Sequence, residues 1–220
     1  MDKTPTVVHG YDRLAPFYDP LATLYSGGTI ASCHRVVAER LERDERVLFV
    51  GVGGGRDAAA AARRGAIPTL LDLSPRMLRR ARTRVRSEGI EPTSFLGDFR
   101  DLDPRHSYDA VVASFFLNVF RSDEIPEMVE RLGTHVRPEG RLLLADFAPH
   151  RGGPLRRFGQ RIYHDFPMLA FRVWTGNALH PIHDVRPHLE DSEWAEVVSS
   201  PLRLCGVGPR WFEVLEARKR

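Results

Sequence analysis

Residues 51–55, Gly51-Val52-Gly53-Gly54-Gly55, carry the most specific chemistry in the chain. They follow the apolar run Val47 to Val50, which reads as a buried strand. They precede Arg56 to Arg64, whose five alanines at 58–62 read as a helix. Strand, glycine loop and helix start set ligand groups against backbone N–H donors. The glycines permit positive φ and remove the Cβ atoms that would hold a ligand off the backbone. The dinucleotide fingerprint Gly-x-Gly-x-x-Gly would place its third glycine at Arg56. What stands is Gly51-x-Gly53-x-Gly55.

The elements that follow bring acids to the same edge. Ile67 to Asp72 reads as a second strand, and Asp72 closes it about 20 residues beyond the loop. A carboxylate there suits a ribose diol. Ser74 suits a helix N-cap and Pro75 the first helical position. Met77, Leu78, Ala81 and Val85 share one face of that helix, so the arginines at 76–86 form a solvated face rather than an RNA strip. Thr93 to Leu96 reads as a third strand, ending in Gly97-Asp98-Phe99. Asp72 and Asp98 thus fall at the carboxyl ends of successive strands, where open α/β sheets bind ligands. Tyr108 to Ser114 is a fourth strand, and Ser122 to Leu132 is a helix. Pro138 to Arg141 is a turn, and Leu142 to Phe147 is a fifth strand.

Several of these stretches resemble one family. The Gly51-x-Gly53-x-Gly55 loop resembles motif I of class I S-adenosylmethionine (AdoMet) methyltransferases, and Leu71-Asp72-Leu73-Ser74-Pro75-Arg76-Met77-Leu78 resembles the motif after it. Tyr108-Asp109-Ala110-Val111-Val112-Ala113 resembles a further family motif. Val136-Arg137-Pro138-Glu139-Gly140-Arg141-Leu142-Leu143-Leu144-Ala145-Asp146-Phe147 and the aromatic start Tyr11 to Asp19 are similar to the UbiE-type quinone methyltransferases. The resemblance implies an α/β fold: a Rossmann-like, doubly wound, seven-stranded class I methyltransferase sheet with an N-terminal helical lid. It implies S-adenosylmethionine as cofactor. Tyr18, Gly51, Val52, Gly53, Asp72, Leu73, Met77, Gly97, Asp98, Phe99 and Ser114 form the implied cofactor-binding set. Within that set Tyr18 belongs to the lid, Asp72 to the ribose, and Asp98 and Phe99 to the adenine. Many DNA methyltransferases carry Asn/Asp-Pro-Pro-Tyr where this chain has Ser114-Phe115-Phe116-Leu117, which counts against nucleobase methylation.

One residue departs from the family pattern. Phe49 stands where an Asp or Glu usually helps bind the methionine end of AdoMet. A phenyl ring offers an ammonium only a weak cation–π attraction. Backbone carbonyls near Gly51 and Ser114 are the substitutes, and an acid placed at 49 is expected to be tolerated or to tighten binding. The departure keeps a non-catalytic AdoMet-binding protein open, beside an RNA or protein methyltransferase.

The expected organisation is one domain over residues 1–220. It divides into lid helices at 1–45, a cofactor core at 46–147, an acceptor-covering segment at 148–193 and a final strand pair at 194–220. The lid includes a helix over Ile30 to Leu41. In the covering segment Leu155 to Phe171 reads as a helix, interrupted at Pro167. Its aromatic and apolar residues, with Phe115, Phe116 and Tyr18, suggest a wall for a small, largely apolar acceptor. His180 and His183 are the candidate catalytic groups, since neutral histidine takes a proton near pH 7. His180, His183, Asp184 and His188 have helical metal-ligand offsets, but Pro181 and Pro187 argue against one helix, and no metal is expected. The 42% apolar content suits a globular protein. The net charge of +3 comes from arginine, with Lys3 and Lys219 the only lysines, and does not call for nucleic acid. Two isolated cysteines and the absence of an apolar leader or span point to the cytoplasm. A homodimer is compatible with the sequence.

Overall fold

The computed structural model describes residues 23, 25–149, 153, 159–160, 182–190, 193–204 and 210–220. The first four strands are β1 (Arg46–Val50), β2 (Ile67–Asp72), β3 (Thr93–Leu96) and β4 (Tyr108–Ser114). They are joined with β5 (Val136–Phe147), β6 (Trp194–Arg203) and β7 (Arg210–Lys219) in one sheet of order β3-β2-β1-β4-β5-β7-β6. β1 to β5 run parallel, while β7 pairs antiparallel with β5 and β6. The order reverses direction between β1 and β4, which opens a crevice at their carboxyl ends.

Helices cover both faces, so the inner strands read as continuous apolar runs. α1 (Thr29–Glu39), α2 (Arg56–Arg63) and α3 (Pro75–Arg86) bury Cys33, Val37, Ala58, Ala61, Leu78 and Ala81 against Val47, Phe49 and Leu70. α4 (Ile125–Thr134) and the short α5 (Arg186–Glu190) cover the other face, with Met128, Leu132 and Leu189 on Leu48, Val111 and Leu144. α3 starts as its sequence dictates: Ser74 Oγ accepts from Met77 N at 3.1 Å and Pro75 opens the first turn.

β2, β3 and β4 have the expected bounds, and the final strand pair is present. Two elements differ from expectation. The helix expected from Ser122 begins at Ile125, because Pro126 favours the first turn and Arg121 to Glu124 close a turn of their own. Pro138 to Arg141 is not a turn before the fifth strand but lies inside β5. Glu139 takes a left-handed φ of 62°, and the pairing register with β4 shifts between Tyr108 and Ala110. That is a bulge, which absorbs the turn-forming residues within one strand. The expected lid residues 11–19 lie outside the described residues, as does the helix over Leu155–Phe171 apart from residues 159 and 160.

Phe49 is 1% exposed and packs with the α1 and α2 face of the core. An acid at that position would stand in this apolar packing, so its first cost falls on stability. Phe49→Asp removes a large apolar side chain and buries a carboxylate in its place. It should cost at least about 3 kcal/mol, read as a lower urea midpoint. A wild-type midpoint would refute the packing account.

Candidate active site

Asp72 organises the loops at the carboxyl edge. It is 9% exposed. Its Oδ2 accepts from Gly53 N at 2.8 Å, and its Oδ1 from Ser74 N at 2.8 Å. Its backbone carbonyl accepts from Gly97 N at 3.1 Å. One residue therefore ties together the loops after β1, β2 and β3. Gly51 has φ +60°, and a Cβ there would meet Phe116 Cδ2 at 2.7 Å. Arg84 Nη1 donates to Gly54 O at 2.6 Å and holds the loop from beneath.

The rest of the implied cofactor set is divided. Leu73 is exposed beside Asp72, Val52 and Met77 are buried, and the space a Cβ would take at Gly97 is open. Asp98 caps the 3-10 turn Phe99–Asp101, accepting from Arg100 N at 2.9 Å, and pairs with the Arg100 guanidinium. The Arg100 side chain, with burial opposing it, holds the Asp98 carboxyl below its usual range. Phe99 is buried, with its ring edge-on to Phe116 at 6.0 Å and to His135 at 5.4 Å. These contacts make Phe99 a core residue at the margin of the edge. Tyr18 lies outside the described residues.

At the end of β4 the backbone is strained. Phe115 has φ +53°, unusual for a residue with a bulky side chain, directly after Ser114. Its ring is held by Phe147 at 5.6 Å, Phe212 at 6.1 Å and the His34 ring at 6.0 Å. Beside it Asp57, in the first turn of α2, is 4% exposed. Burial pushes its carboxyl up, but His34, Ser114 and the Ala58 N–H together outweigh this and hold it below the usual range. His34 Nδ1 lies 3.5 Å from Asp57 Oδ2.

On the β5 side, Asp146 Oδ1 accepts from Asn118 Nδ2 at 3.1 Å and from Phe147 N at 2.8 Å. Burial, with the neighbouring Glu213 charge adding to it, pushes Asp146 up to about 6 despite these hydrogen bonds. His183 has another partner: its Nε2 lies 3.0 Å from Phe120 O, and its Nδ1 lies 3.4 Å from Ser122 Oγ. A carbonyl can only accept, so Nε2 carries the proton and His183 fastens residues 182–185 to the turn after β4. His180 lies outside the described residues. No three His, Cys, Asp or Glu side chains converge on a metal position among the described residues.

Asp57, His34, Asn118 and Asp146 escaped the sequence reading. Two signals were available. Asp57 is the one acid between the glycine loop and an all-alanine run, and Asp146 follows Leu142-Leu143-Leu144-Ala145. A lone acid bordering an apolar run is costly unless something receives it.

A methyltransferase domain family matches residues 47–140. The demethylmenaquinone methyltransferase of Tropheryma whipplei is 31% identical over 214 residues, covering 91% of this chain and 86% of that protein. The phosphatidylethanolamine N-methyltransferase of Cereibacter sphaeroides is 36% identical over 124 residues, 55% of this chain and 60% of that one. This chain thus spans less than two thirds of that relative's length. The structure of magnesium protoporphyrin IX methyltransferase from Synechocystis, with bound SAH, superposes with a TM-score of 0.61. Its identity is 23%, over 88% of this chain and 84% of that chain, a likeness of fold.

Asp146 gives a pH signature. Its folded pKa of about 6 stands above its ordinary 3.8. The stability held by its protonated form is therefore full below pH 3.8 and is lost as pH rises to about 6. Asp146→Asn cannot ionise and should gain stability relative to wild type across that window, measured by urea unfolding at several pH values. A difference that stays flat with pH would refute the assignment.

Proposed function

The chain belongs to the class I AdoMet-dependent methyltransferases, and on that premise we propose that it methylates a small, largely apolar acceptor at oxygen, carbon or sulfur. The carrying observation is the crevice between β1 and β4, with Asp72 and left-handed Gly51 and Gly53 on one side and Ser114 on the other. The residues fit the cofactor. Asp72 stands at the end of β2 beside the glycine loop, where a carboxylate suits a ribose diol. The open space at Gly97 and the exposed side chain of Leu73 suit a flat base. Asp98, engaged by Arg100, would share its oxygens with the adenine amino group.

When bound, AdoMet supplies an electrophilic methyl group on a sulfonium. The chain's part is to hold the acceptor in line and exclude water. Phe115 and Phe116 stand beside the crevice and give it an apolar wall, with Phe120 ring-to-ring on Phe116 at 5.0 Å. For an acceptor that must lose a proton, the proposed bases are His180 and His183, with the raised carboxyl of Asp146 a further candidate. The relatives' names point to a quinone precursor, a phospholipid and a porphyrin, each a small molecule with a large apolar body. The arginine face of α3 is partly neutralised by Arg86–Glu91 and Arg82–Glu91 pairs, and Arg63 of α2 pairs with Glu88, which favours a small acceptor over RNA. No helix among the described residues is long and apolar enough to cross a membrane, in keeping with the proposed cytoplasmic setting.

Two measurements test the reading. Asp72→Ala should weaken S-adenosylhomocysteine (AdoHcy) binding by about tenfold or more, the loss of one charge-assisted hydrogen bond, read by calorimetry. Unchanged affinity in a folded variant would contradict the ribose role. Incubation with AdoMet and a panel of quinol, phenol, thiol and aminophospholipid acceptors should release AdoHcy with one class, and His180→Ala should lower that turnover far more than cofactor affinity. Tight cofactor binding without turnover on any acceptor would favour the non-catalytic alternative.

A further inference from the structure

Phe49 leaves the end of β1 without an acid, and its ring is buried in the core cluster that holds α1 and α2 on the sheet. An ammonium bound in a dry crevice needs a counter-charge, because burying it unpaired is strongly disfavoured. The described carboxylates near the carboxyl edge are not equivalent for that purpose. Asp72 ends β2 and holds the loops on that side. Asp98 is paired with Arg100, and Glu213 with Arg186 at 2.7 Å. Asp146 lies one strand beyond β4, with Oδ1 taken by Asn118 and Phe147 N.

Asp57 stands apart. It follows the glycine loop of β1 by two residues, yet its carboxylate interacts with Ser114 at the end of β4. It therefore bridges the two strands whose ends form the crevice. Its helix packs on the same face of the sheet as Phe49, where Ala58, Ala61 and Ala62 share one core cluster with that ring. Ser114 Oγ and His34 Nδ1 are both buried beside the Asp57 carboxylate, and His34 Nδ1 stands 3.5 Å from Asp57 Oδ2.

We propose that Asp57, positioned by Ser114 and His34, replaces the acid missing at residue 49 and receives the ammonium of the cofactor's methionine end. Burial of Asp57 without loss of its charge agrees with this, since a fixed anion is already present before the ligand arrives. The role rests on the AdoMet reading above.

The test compares two ligands by calorimetry. AdoHcy carries the ammonium and carboxylate, while 5′-methylthioadenosine keeps the adenosine and sulfur and has neither. Wild type should bind AdoHcy more tightly. Asp57→Asn should weaken AdoHcy by about tenfold or more and leave 5′-methylthioadenosine within about twofold. Asp57→Ser suits the first turn of a helix, and as a second neutral variant it should do the same. Equal losses for both ligands, or no loss for either, would overturn the role of Asp57. A wild-type protein that binds neither ligand would instead overturn the cofactor reading on which the role rests.

Discussion

The carboxylate of Asp72 is the interaction on which the carboxyl edge depends. Loops after parallel strands have no ladder of their own, and their N–H groups must be satisfied singly. Asp72 satisfies two of them with charge-assisted bonds, to Gly53 and Ser74, and its carbonyl takes a third from Gly97. Each loop is thereby referenced to the end of β2, a buried strand, instead of to its neighbours. A ligand that also bonds to Asp72 would engage all three loops through one side chain.

The choice of residues beneath the glycine loop follows from volume. α2 presents alanines at 58, 59, 61 and 62, and it approaches α3 so closely that a Cβ on Gly55 would lie 2.7 Å from Ala81 Cα. Small residues on the helix leave space at the level of β1, and the Phe49 ring fills it. An acid in that place would lack both volume and partners. The negative charge sits instead on the helix, at Asp57, where Ser114 and His34 can reach it.

The fold was legible because its signals are local. The β2 acid, the Ser74 cap, Pro75 and the apolar face of α3 lie within a few residues of one another, and each is where the sequence places it. The bulge in β5 was not legible. Pro138-Glu139-Gly140 has turn chemistry, and only pairing with β4 keeps it in a strand. Gly140 fits because a Cβ there would approach Asp109 O and Arg137 O at 2.9 Å, which no local pattern reveals. The same limit hid much of the site. Gly51, Gly53 and Asp72 announce themselves by spacing, whereas Asp57 with His34, and Asp146 with Asn118, are pairs made by tertiary contact between distant residues.

The two edges of the sheet divide stability from chemistry. At the amino edge Arg141 bonds Arg40 O at 2.5 Å and pairs with Glu45, while Arg40 pairs with Glu216 and bonds Ser200 at 2.5 Å. That network cross-ties α1, β5, β6 and β7 through partly buried arginines, each guanidinium reaching two different partners, and charge-assisted bonds so sheltered are worth more than exposed pairs. At the carboxyl edge stand a left-handed Phe115 and a raised Asp146, each a cost to the folded state, beside a buried Asp57 whose charge His34, Ser114 and the Ala58 N–H compensate. Strain of this kind persists only where surrounding contacts over-determine the backbone. The rings of Phe147 and Phe212 that hold Phe115 belong to β5 and β7, the strands that the arginine network ties at their other ends. The charged edge thus secures the strands whose far ends keep the crevice in shape.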